Sequence, residues 1–362
     1  MEKEGVISMK NRIRKWAFRA ILLCAAVLGL SLLQRLVMPK YMRDVTEGAM
    51  IAEYYKEEKN HDVIFIGDCE LYENISPVTL WEEYGIHSYI RGSAQQLIWQ
   101  SYYLLEETLK LEKPQVVVFN VLSMKYDEPQ SEAYNRMTLD GMKLSASKIK
   151  SIQASMTEEE HMLEYLFPIL RYHSRITELS KEDFTYLFSR DKVTHNGYYM
   201  RVDVKAAGDV PEGKPLGSYR FGEKAYEYLD KMADLCEKEG VELVLVKAPS
   251  LYPYWYGEWD AQMKEYAEKR GLKYYNFLEK TQEAGLDFSK DTYDGGLHLN
   301  LSGAEKLSRY FGEILTKECQ VKNRRGDRHL EEIWEKKIAL YRRERDAQEK
   351  QLRMESGQTA RN

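Results

Sequence analysis

Two short stretches of this 362-residue chain hold residue types that could do chemistry together. The first is Ile64-Phe65-Ile66-Gly67-Asp68-Cys69-Glu70. An apolar run ending in glycine reads as a strand buried on both faces, and Cys69 follows where a helix should begin. A thiol at a helix N-terminus meets free N–H groups and the positive end of the dipole. Both lower its pKa and make it a better nucleophile. The second stretch is Asp294-Gly295-Gly296-Leu297-His298-Leu299-Asn300. His298 suits a base, Asp294 an orienter of its imidazole, and the two glycines let the loop fold so that both face one site. Ser302 and Glu305 behind it have the spacing of a capping box, which predicts a helix from Ser302. Each stretch also has a plain structural reading: Cys69 as packing behind a strand, His298 as part of a polar capping loop.

The elements that must position these residues follow an alternating rhythm from Asp62 onward. Val63–Gly67, His87–Arg91, Gln115–Val121, Val241–Lys247 and Lys273–Phe277 are strand candidates. Gln95–Leu111 and Glu223–Glu239 carry helical periodicity between them, the second with Ala225, Leu229, Met232, Ala233 and Cys236 along one face and Gly240 as a stop. Strands alternating with helices predict an α/β fold with a parallel sheet covered on both faces. Residues 123–220 break the rhythm and read as an insertion, placed where such segments form walls or lids over a site. After the fourth strand comes Leu251-Tyr252-Pro253-Tyr254-Trp255-Tyr256, on the side of the sheet where substrates bind. Tyr254 and Trp255 could stack on sugar rings there, or form a packed aromatic loop. His195 is a further site candidate, read more simply as a satisfied structural histidine.

The two chemical stretches together resemble the end blocks of the SGNH/GDSL hydrolase superfamily: Gly-Asp-Ser after the first strand and Asp-x-x-His before the last helix. The resemblance spans about residues 62–316, with Cys69 in place of the nucleophilic serine. Arg91-Gly92-Ser93 resembles the block whose glycine N–H helps hold an oxyanion, and Asn120 stands near the family's oxyanion asparagine. The resemblance implies a three-layer α/β/α, flavodoxin-like domain over 62–320, with Cys69, His298 and Asp294 catalytic, Gly92 and Asn120 forming an oxyanion hole, and no cofactor. The aspartate lies four rather than three residues before the histidine, which leaves Asp291 open beside Asp294. Phe119-Asn120-Val121 also departs from the family's Gly-x-Asn-Asp. Within the superfamily the chain looks most like the D-alanyl transfer protein of teichoic acid systems and the accessory proteins of alginate O-acetylation. That implies acyl-ester hydrolysis or O-acyl transfer on a cell-envelope polysaccharide or teichoic-type polymer, in company with a membrane-bound O-acyltransferase. A catalytically inactive module that binds glycan or scaffolds such a transferase is the alternative expectation.

The ends of the chain differ from its middle. Residues 16–38 are apolar and close to the roughly 20 residues that span a bilayer. Lys3, Lys10, Arg12, Arg14 and Lys15 precede them, and Lys40 and Arg43 follow, diluted by acids. The positive-inside rule then puts residues 1–15 in the cytoplasm and everything after the anchor outside, tethered to the cell membrane by a single pass. Residues 39–61 read as a linker with a helix. Residues 321–362 are dense in Arg, Lys and Glu, with Leu330, Ile333, Trp334, Ile338 and Tyr341 at helical spacing. They predict a charged amphipathic helix, in a coiled coil or a partner contact, ending in a disordered ESGQTARN. The net charge of −5, with no basic stripe in the middle, argues against a nucleic-acid partner. The four cysteines, Cys24, Cys69, Cys236 and Cys319, contain no CxxC pair, and no ligand cluster of metal spacing appears. Cys24 and Cys236 read as packing.

Overall fold

The computed structural model describes residues 2–39, 47–188, 192–208, 210 and 212–359. Lys40, Arg43 and the last three residues lie outside them, as does part of the predicted 39–61 linker. The chain forms two compact units, residues 1–43 with 161–192, and residues 44–160 with 193–362.

The larger unit is built on five parallel strands: β1 (Val63–Gly67), β2 (Ser88–Gly92), β3 (Val116–Asn120), β4 (Glu242–Lys247) and β5 (Lys273–Asn276). Their order is β2-β1-β3-β4-β5. This is the flavodoxin-like winding expected from the sequence, and its switch point lies between β1 and β3. The strands are short apolar runs because both faces are covered. Successive side chains point to opposite faces, so each run divides between two cores. Val63, Phe65, Val118, Val244 and Val246 face one core, with Leu80, Phe311 and Leu315. Ile64, Ile66, Val117, Phe119, Leu243 and Leu245 face the other, with Trp99, Leu229 and Met232. The helices Ile98–Leu111 and Glu223–Glu239 supply the second core, Pro77–Tyr84 and Leu301–Lys317 the first.

The charged C-terminal segment forms a helix, Arg328–Thr359, that packs back on the domain. Leu330, Trp334 and Tyr341 of its apolar stripe lie in the core of the same domain, with Ile333 and Ile338 packed against it. Trp334 is fully buried, stacks on Trp81 with ring centroids 5.1 Å apart, and donates through Nε1 to His87 Nδ1 at 3.2 Å. Tyr341 is buried beside Ser76 and Glu305. The helix also runs through most of the stretch expected to be disordered. An amphipathic stripe records that something covers it, without recording what.

The 123–220 segment likewise has three parts with different roles. The helices Glu132–Leu139 and Ala146–Ser155 belong to the larger unit, and the second packs on Ile98–Leu111. Residues 161–188 fold with the N-terminal helix in the smaller unit. The return limb after Val193 covers the β2 edge: Ile90 N donates to Asn196 O at 3.0 Å and Asn196 Nδ2 to Ser88 O at 3.0 Å. Gly197 has φ +87°, and a Cβ there would lie 2.1 Å from Ile90 O, so the turn demands glycine. His195 is buried with Nε2 3.0 Å from Glu344, which makes it a structural residue.

In the smaller unit, the helix Glu2–Val37 includes a 26-residue apolar stretch, Arg12–Val37, long enough to cross a membrane. Ile21, Leu22, Leu23, Val27 and Leu28 are all more than half exposed.

Candidate active site

Cys69 stands at the carboxyl end of β1, one residue past the Gly67-Asp68 corner. Gly67 is fixed by packing: a Cβ there would come within 3.0 Å of the Asn120 Cβ and 3.1 Å of a Leu71 methyl. Gly92, at the matching end of β2, is pressed against the same corner, and a Cβ would lie 2.9 Å from Gly67 O and 3.2 Å from the Tyr72 ring. The two glycines therefore bring the β2 terminus against the backbone that carries the thiol.

His298 reaches this corner from the loop before the last sheet-packing helix. Its Nδ1 lies 2.7 Å from Asp294 Oδ2, and its backbone N–H donates to Asp294 Oδ1 at 2.9 Å. Asp294 is thus the residue that orients the imidazole. Asp291 is occupied elsewhere, accepting from Ser302 Oγ at 2.8 Å and Lys306 Nζ at 2.6 Å. The predicted capping box also moves: the helix begins at Leu301, and Asn300 is its cap, accepting from Gly303 N at 3.2 Å. Ser302 is instead spent on Asp291. The remaining ring nitrogen of His298, Nε2, is buried with no partner at hydrogen-bond distance. The Cys69 thiol is an electrostatic neighbour of the ring, each shifting the other's ionisation.

A second carboxylate joins the histidine from the nucleophile side. Glu73 lies 3.7 Å from His298 Nδ1, and Tyr293 donates its hydroxyl to Glu73 while its ring stacks on the imidazole. Asn74 Oδ1 accepts from Leu299 N at 2.7 Å, which ties the two loops together. The return limb of the insertion braces the histidine loop from outside. Lys205 N donates to Thr292 O, Gly295 N to Lys205 O, Leu301 N to Arg201 O, and the Arg201 guanidinium lies 4.5 Å from the Tyr293 ring centre.

The electrostatics differ from the sequence expectation. Only one helical turn, Cys69–Tyr72, follows the thiol, so the dipole behind it is small. Burial pushes the Cys69 thiol up to about 11; the nearby imidazole opposes the shift, and Asp68 and Glu73 add to it. Desolvation pulls His298 down, but Glu73, Cys69 and the Asp294 bond outweigh it and hold the imidazole well above its ordinary value. Asp294 is held below its ordinary value because its bonds from His298 outweigh desolvation.

On the other side of Cys69 lies a closed network that spacing did not reveal. Lys247, at the end of β4, is fully buried and donates to both Glu70 oxygens at 2.9 Å and to Ala248 O at 2.7 Å. Asn120 Nδ2 donates to Asp68 Oδ1 at 2.9 Å and Glu70 Oε2 at 3.0 Å, and its Oδ1 accepts from Ala248 N at 3.2 Å. Asn120 thus reaches the expected strand end, yet both its N–H groups are spent on carboxylates. Desolvation, reinforced by Glu70, raises Asp68 to about 6. The aromatic loop also turns out differently. Trp255 is buried against Phe221 and Trp259, so it packs the core, while Tyr254 is about half exposed.

No protein-family model and no curated protein matches the chain. Solved structures resemble it at low identity. A protein of the G-D-S-L family from Desulfitobacterium hafniense DCB-2 is 13% identical with a TM-score of 0.33, over 71% of this chain and 100% of its own. A GDSL-like lipase from Bacteroides thetaiotaomicron VPI-5482 is 12% identical with a TM-score of 0.33, over 77% and 98%. A protein from Bacteroides fragilis NCTC 9343 assigned as an acylhydrolase is 12% identical with a TM-score of 0.37, over 78% and 100%.

Proposed function

We propose that this chain is an SGNH-type acyl-ester hydrolase or O-acyltransferase with Cys69 as its nucleophile, anchored by its N-terminal helix and acting outside the cytoplasm on an envelope glycan or teichoic-type polymer. One observation carries the reading: a buried imidazole bonded through Nδ1 to Asp294, with its other nitrogen unpartnered and the Cys69 thiol near enough for each to shift the other's ionisation. That is the base, orienter and nucleophile arrangement of triad enzymes.

The steps balance as follows. Cys69 Sγ bonds to the acyl carbonyl carbon while its proton passes to His298. The ester C–O bond breaks, and the alcohol leaves with that proton. A hydroxyl of the acceptor, or water, then gives a proton to His298 and attacks the thioester, and the sulfur departs to regain a proton. The backbone N–H groups of Cys69 and Gly92 take the carbonyl oxygen, each such donor being worth about 2.7–4 kcal/mol of barrier. A thioester is more activated than an oxygen ester, so passage to a sugar hydroxyl is downhill, which favours transfer to a partner polymer. The side chain of Tyr254 offers an exposed aromatic edge for the acceptor. A membrane-bound O-acyltransferase is the partner that such a role calls for.

Asn120 favours a second reading, because an oxyanion donor locked onto Asp68 and Glu70 suits a domain that binds glycan or scaffolds a transferase without turnover. Ester cleavage with a chromogenic acetyl ester, and with an acylated envelope glycan, separates the two. The enzyme reading expects turnover that Cys69→Ala abolishes and Cys69→Ser partly keeps. Equal rates for wild type and Cys69→Ala contradict it, and equal glycan binding without turnover in both supports the second.

A further inference from the structure

The smaller unit pairs the N-terminal helix with residues 161–188, and the way the two join has a use of its own. Around the last turns of the anchor, helices Ile169–Tyr172 and Lys181–Phe188 and the 3₁₀ turn His173–Thr177 pack against it, and Met162–Leu166 packs on Ile169–Tyr172. The two parts cap each other. Arg175 Nη1 donates to Val37 O, the last residue of the anchor helix, at 2.7 Å. Arg35 Nη2 donates to Leu187 O in the last turn of Lys181–Phe188 at 2.9 Å. Each guanidinium thus satisfies an orphan carbonyl and meets the negative end of a helix.

What these helices leave outside is apolar. Outside the anchor, twelve large apolar side chains are exposed among the described residues. Six of them lie in this stretch alone: Leu163, Phe167, Leu170, Ile176, Phe184 and Phe188, the last at 88%. A cluster of exposed large apolar side chains this dense marks a surface that another phase or molecule covers. Its position says which. Counting back from Val37 at 1.5 Å per residue, about 20 residues cross the roughly 30 Å hydrocarbon layer. The turns that carry residues 161–188 are then at the membrane boundary on the domain side. Interfacial helices bury an apolar face about 5–10 Å into that boundary.

We infer that residues 161–188 form a membrane-seated foot, continuous with the anchor, whose exposed Phe and Leu side chains enter the lipid headgroup boundary. The inference rests on the anchor reading of the N-terminal helix. The occupant is the bilayer itself, and apolar insertion is the attraction. The segment carries Arg171, Arg175 and Lys181 against Glu164, Glu178, Glu182 and Asp183, so it offers no net positive charge to anionic lipid. A single helix crossing a bilayer can rotate and tilt freely. A foot fixed to its end holds the emerging chain in one orientation.

The test uses the full chain in phosphatidylcholine nanodiscs doped with phosphatidylcholine carrying a photoactivatable group near the top of the acyl chain. Mass spectrometry then maps the labelled peptides. The foot predicts label on peptides containing Phe167–Leu170 and Phe184–Phe188 as well as on the anchor, unchanged when salt is raised. The triple variant Phe167→Glu, Phe184→Glu, Phe188→Glu should lose the foot label and keep the anchor label. Label confined to the anchor overturns the foot while leaving the anchor standing, and assigns the apolar face to a protein. Label on neither overturns the anchor reading, and the foot with it.

Discussion

Cys69 sits between two clusters of charged side chains that differ in almost every respect. On one side, His298 is shared by Asp294 and Glu73, with Tyr293 across it and one ring nitrogen free. On the other, Glu70, Lys247, Asp68 and Asn120 are closed on each other, with Lys247 and Glu70 fully buried. Both clusters contain carboxylates beside a nitrogen donor within a few residues of the same thiol. In the closed one every strong donor has an acceptor, so a proton has nowhere useful to go. In the open one negative charge exceeds what one imidazolium balances, and a buried nitrogen is left without a hydrogen-bond partner. A surplus of charge and one unspent atom are what separate a site that can move protons from one that holds strands together.

That comparison can be broken in four ways. Asp294→Asn leaves the shape of the open cluster intact but favours the wrong imidazole tautomer. A fall in kcat of about 10⁴ is expected, as in other triads, read in steady-state ester cleavage. A loss of tenfold or less would mean that Asp294 does not orient His298. Lys247→Met breaks the closed cluster and strands the buried Glu70 carboxylate. Removing one partner of a buried pair costs about 3–5 kcal/mol, so chemical denaturation of the larger unit should show a loss of that order. Trp334→Ala tests whether the C-terminal helix belongs to the domain. Deleting a fully buried tryptophan costs about 3–5 kcal/mol, and chemical denaturation should show a loss of that order.

The smallest and sharpest effect is on pH. The thiol and the imidazole are both shifted upward, so a proton must leave the His298–Cys69 pair before sulfur can attack, and the pKa then belongs to the pair. Activity should therefore rise with pH through and above neutrality. Glu73 holds the proton in place, since a carboxylate favours the imidazolium. Glu73→Gln removes that pull and should move the rise to lower pH. The sign also fixes stability. His298 has a raised folded pKa, so its contribution is full below pH 6.5 and fades as pH climbs through the folded value. A pH–rate profile unmoved in Glu73→Gln would remove Glu73 from the site.

Much of this was legible in the sequence where local pattern decides the outcome. The runs at Val63, Gln115 and Val241 had to be strands buried on both faces, and the alternation with helices fixed a parallel sheet. The Gly-Asp-Cys corner and the Asp294–His298 loop were visible because glycines and spacing announce tight turns. Pairings across long separations were not legible. Glu70 and Lys247 are 177 residues apart, and nothing local in either predicts the other. Asn120 reached its place but with its donors spent, a matter of which neighbours topology supplies. Trp255 and the C-terminal stripe show the same blind spot: an aromatic or an apolar face reads identically whether it meets ligand, partner or its own core. The thiol's raised pKa was missed because the helix behind it lasts one turn, while burial, a three-dimensional quantity, decides the sign.

The most direct measurement is intact-protein mass spectrometry after brief exposure of the full chain to an activated acyl ester at mildly alkaline pH, with Cys69→Ala alongside. The account predicts a single acyl adduct on the wild type, mapped to Cys69 and absent from the variant, that clears when an acceptor hydroxyl is supplied. A folded wild type that stays unmodified across several acyl donors, or one that takes the same adduct in Cys69→Ala, would contradict it.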